Sequence, residues 1–206
     1  MSLYAGCADD GAFSDVATSN CLESFGQPVR AFLQRTKNGT ADNELTIADA
    51  KLLATFTALK AATDGTKIVI TPEFGGATAE PGEPRTFGSG NEVPDGIPIP
   101  LGNNPSPFTA NLIAPKASIV EQLKKLSGSK GVYLVDNMGR IAGQVDDHAN
   151  PTKIKPFPIR SFFVSDKGFG GFDGADINRM SWQFPAGWSD KFFIVEPDFN
   201  PRTDLI

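Results

Sequence analysis

The chain has one histidine, His148, in the run Asp146-Asp147-His148-Ala149-Asn150. Two carboxylates beside an imidazole are the residue types of a metal site or, with a serine, of an acyl-transfer triad. The spacing supports neither. Adjacent side chains need a scaffold before they converge on one ion, and no Gly-x-Ser-x-Gly elbow accompanies the histidine. The run reads as a solvated loop. Asp166, Asp173 and Asp176 lack the spacing and the final glutamate of an EF-hand loop. Gly168-Phe-Gly-Gly-Phe-Asp-Gly174 matches neither a P-loop nor a dinucleotide fingerprint, and Lys130 after Gly128-Ser129 lacks the rest of a phosphate loop. Cys7 and Cys21 have no CxxC spacing, which argues against zinc ribbons and thiol redox motifs; one bridge between them is allowed but not required. We therefore expect no catalytic residue, no metal and no cofactor.

Composition points the same way. The 206 residues suffice for one sizeable core, and 40% apolar content with sixteen phenylalanines is globular. A net charge of -5 repels phosphate backbones, so nucleic-acid binding is disfavoured. The charge is uneven. No Lys or Arg precedes Arg30, whereas Asp9, Asp10, Asp15 and Glu23 all do. Residues 1–28 read as an acidic arm, either solvated or docked on a basic partner surface. Tyr4-Ala5-Gly6-Cys7 has the look of a lipoprotein cleavage box, but six residues supply no charged and apolar region upstream of the cysteine. With no run of about 18 apolar residues, no membrane span is expected; the default location is a cytosol, with assembly from soluble subunits.

Proline supplies the strongest signal. Half of the sixteen prolines, and seven glycines, lie from Pro72 to Pro107. Proline removes backbone donors and fixes φ, which bars an ordinary helix or a central strand. A disordered linker would carry few apolar residues. Here Phe74, Phe87, Val93, Ile97, Ile99, Leu101 and Phe108 recur along it. The segment reads as an extended arm that lies on a surface of its own subunit or of a neighbour. Phe74, Arg85, Phe87, Val93, Ile97, Ile99 and Leu101 are the candidate inter-subunit contacts.

The elements that carry this arm follow from local patterns. Val29–Arg35 and Lys67–Thr71 read as strands. Thr46 with Asp49 reads as a near capping box opening a helix to about Ala61, stopped by Asp64-Gly65. Ile97–Leu101 alternates, but its prolines confine it to an edge. Phe108–Ala114 is a strand, Pro115 opens a second helix with Ile119, Val120, Leu123 and Leu126 on one face, and Gly128 caps it. Gly131–Val135 and Arg140–Gly143 form a hairpin across Asp136-Asn-Met-Gly139. Asp146–Pro156 reads as a polar loop. Phe157–Ser165, Ile177–Phe184 and Trp188–Val195 complete the sheet, and the tail from residue 197 to 206 reads as polar and mobile. The class is α+β: a predominantly antiparallel, sandwich- or barrel-like sheet with two flanking helices and long arms, a single domain over 29–196 with the arm at 72–107 inserted. Most C-terminal aromatics belong in a core. Yet Phe162 and Phe163, and Phe192 and Phe193, point to opposite faces, so the second face calls for another sheet or another subunit.

The stretch from Ile97 to Val195 resembles phage tail-tube proteins in its order of edge strand, strand, helix, hairpin, strand, glycine-rich excursion and strand. Gly131-Val-Tyr-Leu-Val-Asp-Asn-Met-Gly-Arg-Ile141 is similar to the strand-turn-strand after the helix in such proteins. Glu80-Pro-Gly-Glu-Pro-Arg-Thr-Phe-Gly-Ser-Gly-Asn-Glu92 resembles structural proteins of phages that infect Bacteroidetes. The resemblance implies rings, usually hexameric, stacked into a tube, with DNA only as passing cargo; an acidic lumen that repels phosphates suits such a conduit. It implies partners that are copies of the chain and other virion tail proteins, and a place in the virion. The rival readings are a capsid decoration or head-tail joining protein, a carbohydrate- or surface-binding module using Trp182 or Trp188, and a hydrolase working through His148 or clustered aspartates.

Overall fold

The computed structural model describes residues 24–93 and 96–205. Cys7, Cys21 and the four acidic residues of the N-terminal arm lie outside them. The elements in chain order are β1 (Pro28–Gln34), β2 (Lys37–Asn38), β3 (Ala41–Asp42), β4 (Leu45–Thr46), α1 (Leu53–Ala61), β5 (Ile68–Ile70), β6 (Phe74–Ala79), β7 (Pro84–Phe87), β8 (Ile99–Asn103), β9 (Ser106–Ile113), α2 (Ala117–Lys124), β10 (Lys130–Asp136), β11 (Ile141–Val145), β12 (Lys153–Lys155), β13 (Phe157–Val164), β14 (Ile177–Phe184) and β15 (Phe192–Val195). Among the described residues, eleven strands form one antiparallel sheet that curls into half a barrel and two α-helices accompany it, so the fold is α+β.

The curl begins at β10. One side of β10 pairs with β1 along its length, Pro28 opposite Asp136 and Gln34 opposite Gly131. The other side is shared: Lys130–Val132 pair with β13, and Leu134 and Val135 pair with β11. Strand β13 then bends at Ser161, a non-glycine residue at φ 54°, and its later part joins β14 across an irregular register. A bulge of this kind bends and twists a strand, here turning β13 from one half of the sheet into the other.

Alternation distributes the side chains between two cores. Ala31, Leu33, Val132 and Leu134 face a core shared with Phe108, Leu112, Met180, Trp182 and Phe184 of the curled half and with Val120 and Leu123 of α2. Phe32, Tyr133, Val135 and Ile141 face the other core, closed by Phe56 of α1, Ile154 of β12, Val195 and Leu205. Trp182 stacks on Phe108 with centroids 4.0 Å apart, and Trp188 stacks on Phe184 at 4.2 Å. Such pairs add roughly 0.5–1.5 kcal/mol beyond area burial. The two-sided apolar pattern is thus satisfied within one chain, and by itself no longer argues for a second subunit. Phe192 enters one core and Phe193 the other, whereas Phe163 is exposed.

Several expectations are corrected. Thr46 accepts a hydrogen bond from the Asp49 amide at 3.0 Å, but it caps only a 3₁₀ turn over Asp49–Lys51; Leu52 is extended and α1 starts after it. The polar loop 146–156 contains β12, which pairs with β4 and β11. The first part of the proline-rich stretch is β6, which pairs with β9 and belongs to the main sheet. The C-terminal segment packs: Pro201 and Leu205 are buried, Lys60 Nζ donates to the Leu205 carbonyl at 2.8 Å, and Arg202 Nε donates to Glu73 at 2.9 Å.

Candidate inter-subunit arm

What remains of the arm is a two-stranded ribbon. Among the described residues, strands β7 and β8 pair only with each other, Pro84 opposite Asn103, Arg85 opposite Gly102, Thr86 opposite Pro100 and Phe87 opposite Ile99. At its base Asn104 N donates to the Glu83 carbonyl at 2.8 Å. A Cβ on Gly82 would collide with the Asn104 carbonyl oxygen, so the two legs of the ribbon need glycine where they leave the body. The described part of the tip holds a 3₁₀ segment over Gly90–Glu92, flanked by extended Ser89 and Val93.

Of the seven candidate contacts, five are presented outward. Arg85 is exposed, and Phe87, Ile97, Ile99 and Leu101 are 57, 70, 37 and 51% exposed. A two-stranded ribbon is marginal alone in water, and four large apolar side chains left in solvent on one mark an interaction site. The other two are placed differently. Phe74 is 4% exposed and packs edge-on against Phe108 in the core. Val93 is 6% exposed, inside the ribbon's own tip, where it crowds Gly88.

Phe169 and Phe172 are exceptions to the expectation that most C-terminal aromatics lie in a core, and they form a second apolar protrusion. Both are fully exposed, on the glycine-rich excursion between β13 and β14. Gly168 bridges Ile177, and Gly170 and Gly174 approach so closely that neither tolerates a Cβ. Ile177 pairs with Ile113 on the adjacent strand, and both are exposed. The signal was legible: flanking glycines mark a loop, and a loop cannot bury two phenylalanines at period two. The other outward positions of β9 and β14 are Pro107 and the polar Thr109, Asn111, Arg179, Ser181 and Gln183. Strands β6, β9, β13 and β14 contain two arginines, Arg160 and Arg179, and no carboxylate.

The residues weighed for chemistry are dispersed. His148 is exposed, its Nε2 3.0 Å from the Asp190 carbonyl oxygen. Asp146 accepts from the Thr152 hydroxyl and from the Thr152 and Lys153 amides, which hold its carboxyl well below the usual range and tie the loop to β12. Asp166 pairs with Lys124 and Asp176 with Lys167. No group of three or more His, Cys, Asp or Glu side chains converges among the described residues. Trp182 is buried and Trp188 is stacked into the core's rim, so neither is a platform for a sugar. No helix among the described residues is long and apolar enough to cross a membrane.

No protein-family model and no curated protein matches the chain. Among solved structures, it is similar to a chain in a cryo-EM structure of the anti-feeding prophage baseplate, 6-fold symmetrised. That likeness covers 86% of this chain and 100% of the other, at 9% identity and a TM-score of 0.32. At that score it bears on neither fold nor function.

Proposed function

We propose that the protein is a non-enzymatic virion structural subunit that self-assembles through its ribbon, most specifically a tail-tube subunit whose rings stack into a conduit for DNA. The observation that carries this reading is the protruding β7–β8 ribbon with Phe87, Ile97, Ile99 and Leu101 in solvent. A heterologous contact, in which the ribbon of one copy lies on the body of the next, generates a ring when the rotation closes. The neutral-to-basic outer face of β6, β9, β13 and β14 suits contact with neighbours better than the wall of an acidic lumen, because phosphates would adhere to its arginines. On this reading that face, with Ile113 and Ile177, receives a neighbouring copy.

The test is assembly of a ribbonless subunit. Glu83 and Asn104 already meet in a hydrogen bond, so Pro84–Asn103 can be replaced by two glycines without disturbing β6 or β9. Negative-stain microscopy over a concentration series should show rings or tubes for the intact chain and monomers for the variant. Tubes formed equally well without the ribbon would sink the proposal.

A further inference from the structure

Although the protein is acidic overall, it has a basic cleft of about 310 Å³ between the end of β1, the start of β5 and the C-terminal end of α2. Arg35, Lys67, Lys125 and Lys130 line it, against one carboxylate, Asp64. Asp64 is already engaged by Asn38 and by the amide and hydroxyl of Thr66. Lys125 pairs with Glu121 on its own helix; Arg35, Lys67 and Lys130 make no salt bridge among the described residues. Leu33, Val69 and Leu126 give the cleft an apolar floor. Gln34 lies in its wall, 5% exposed: Nε2 donates to the Thr66 carbonyl at 2.6 Å, and buried Oε1 has no partner. A buried acceptor without a donor is destabilising, which an incoming N–H would relieve.

Carboxylates for the cations, an apolar side chain for the floor and a backbone N–H for Gln34 together describe an acidic peptide. An ionised phosphodiester supplies the first and lacks the other two. We propose that the cleft binds the acidic N-terminal segment of this chain. That segment has no Lys or Arg, and Asp9-Asp10-Gly11-Ala12-Phe13 places two carboxylates next to a phenylalanine. Twenty-three residues span up to roughly 75 Å when extended. Strand β1 is only seven residues long, so the cleft at its far end is within reach of the same chain or an adjacent copy. This inference does not depend on ring formation.

Zero-length carbodiimide cross-linking of the full chain, read by peptide mass spectrometry, tests it. The expected products join Lys67, Lys125 or Lys130 to Asp9, Asp10, Asp15 or Glu23, at least tenfold above links from Lys37 or Lys51 to the same carboxylates. They should fall several-fold in 0.5 M salt, where charge attraction is screened. The double variant Asp9→Lys/Asp10→Lys should abolish them while near-ultraviolet circular dichroism stays unchanged. Mixing isotope-labelled and unlabelled chains assigns the link to one copy or two, and either result supports the proposal. Links spread evenly over all lysines would overturn it. So would a cleft that stays unlinked to the N-terminal segment yet captures an added poly-glutamate peptide, since the occupant would then be another protein.

Discussion

Asp136 shows what single residues contribute here. Its carboxylate is fully buried at the β10–β11 turn and accepts from the amides of Gly26, Met138 and Arg140 and from the Arg140 guanidinium at 2.7–2.8 Å. One side chain thereby ties the chain before β1, the turn and β11 together. Removing one partner of a buried, hydrogen-bonded pair leaves the other uncompensated, at a cost of about 3–5 kcal/mol. Asp136→Ala should lower the urea midpoint accordingly with little change in slope. Trp182 provides a contrast. It is buried with its indole N–H unpartnered, so its hold on the fold is packing against Phe108 and Phe162. Trp182→Ala should cost about 3–5 kcal/mol in the same assay. Trp182→Phe should cost clearly less, because it also removes the unsatisfied donor. The aspartate's place in a turn was legible from Asp-Asn-Met-Gly. Its burial was not, because that depends on Gly26 and Arg140 arriving from opposite directions.

At the scale of elements, the C-terminal segment depends on charge. Glu73 is held below the usual glutamate range by the Arg202 hydrogen bond and by its charge, and Asp204 is lowered by the Asn200 amide and the Thr203 hydroxyl. A depressed carboxylate stabilises the fold above its ordinary titration range, and the contribution disappears as the pH falls through its lowered value. Hydrogen exchange should therefore show Phe199–Leu205 opening ahead of β10 as the pH drops below about 4. Arg202→Ala should open the same amides at neutral pH. If β10 and the tail open together, the segment is not held separately. Gly143 belongs to the same scale: on β11, between β15 and β12, a Cβ would lie 2.6 Å from the Lys155 carbonyl oxygen, so Gly143→Ala must push β12 away. Strands with alternation or β-branched runs, such as Ile177–Phe184, were readable in advance. The two-residue β4 and three-residue β12 were not, since pairing with distant partners creates them rather than any local preference.

For the molecule as a whole, the sequence pattern gave the class and located the arm, but not how much of the arm is sheet. Phe74–Ala79 is rich in glycine and alanine, and only its register against β9 makes it a strand. Likewise the apolar residues on both faces of the C-terminal strands call for another sheet or another subunit, and a bend at Ser161 lets the chain supply the cover itself. Among the described residues, the ribbon and the Phe169/Phe172 loop are two places that keep large apolar side chains in solvent. Phe87→Asp with Leu101→Asp should leave the urea midpoint of the subunit within about 0.5 kcal/mol, as expected for exposed positions, and abolish rings in the microscope. Loss of stability would instead place these side chains in the subunit's own core.

The shared strand β10 also sets an order of events during synthesis. Strand β1 finds its main partner only when Lys130–Asp136 has been added, and β11 gains β15 only near the end of the chain. The ribbon, by contrast, closes on itself once Asn103 has left the ribosome. Under the assembly proposed above, each nascent chain would then display its ribbon before it owns a body for another ribbon to grip, and productive docking would wait for completed, released subunits.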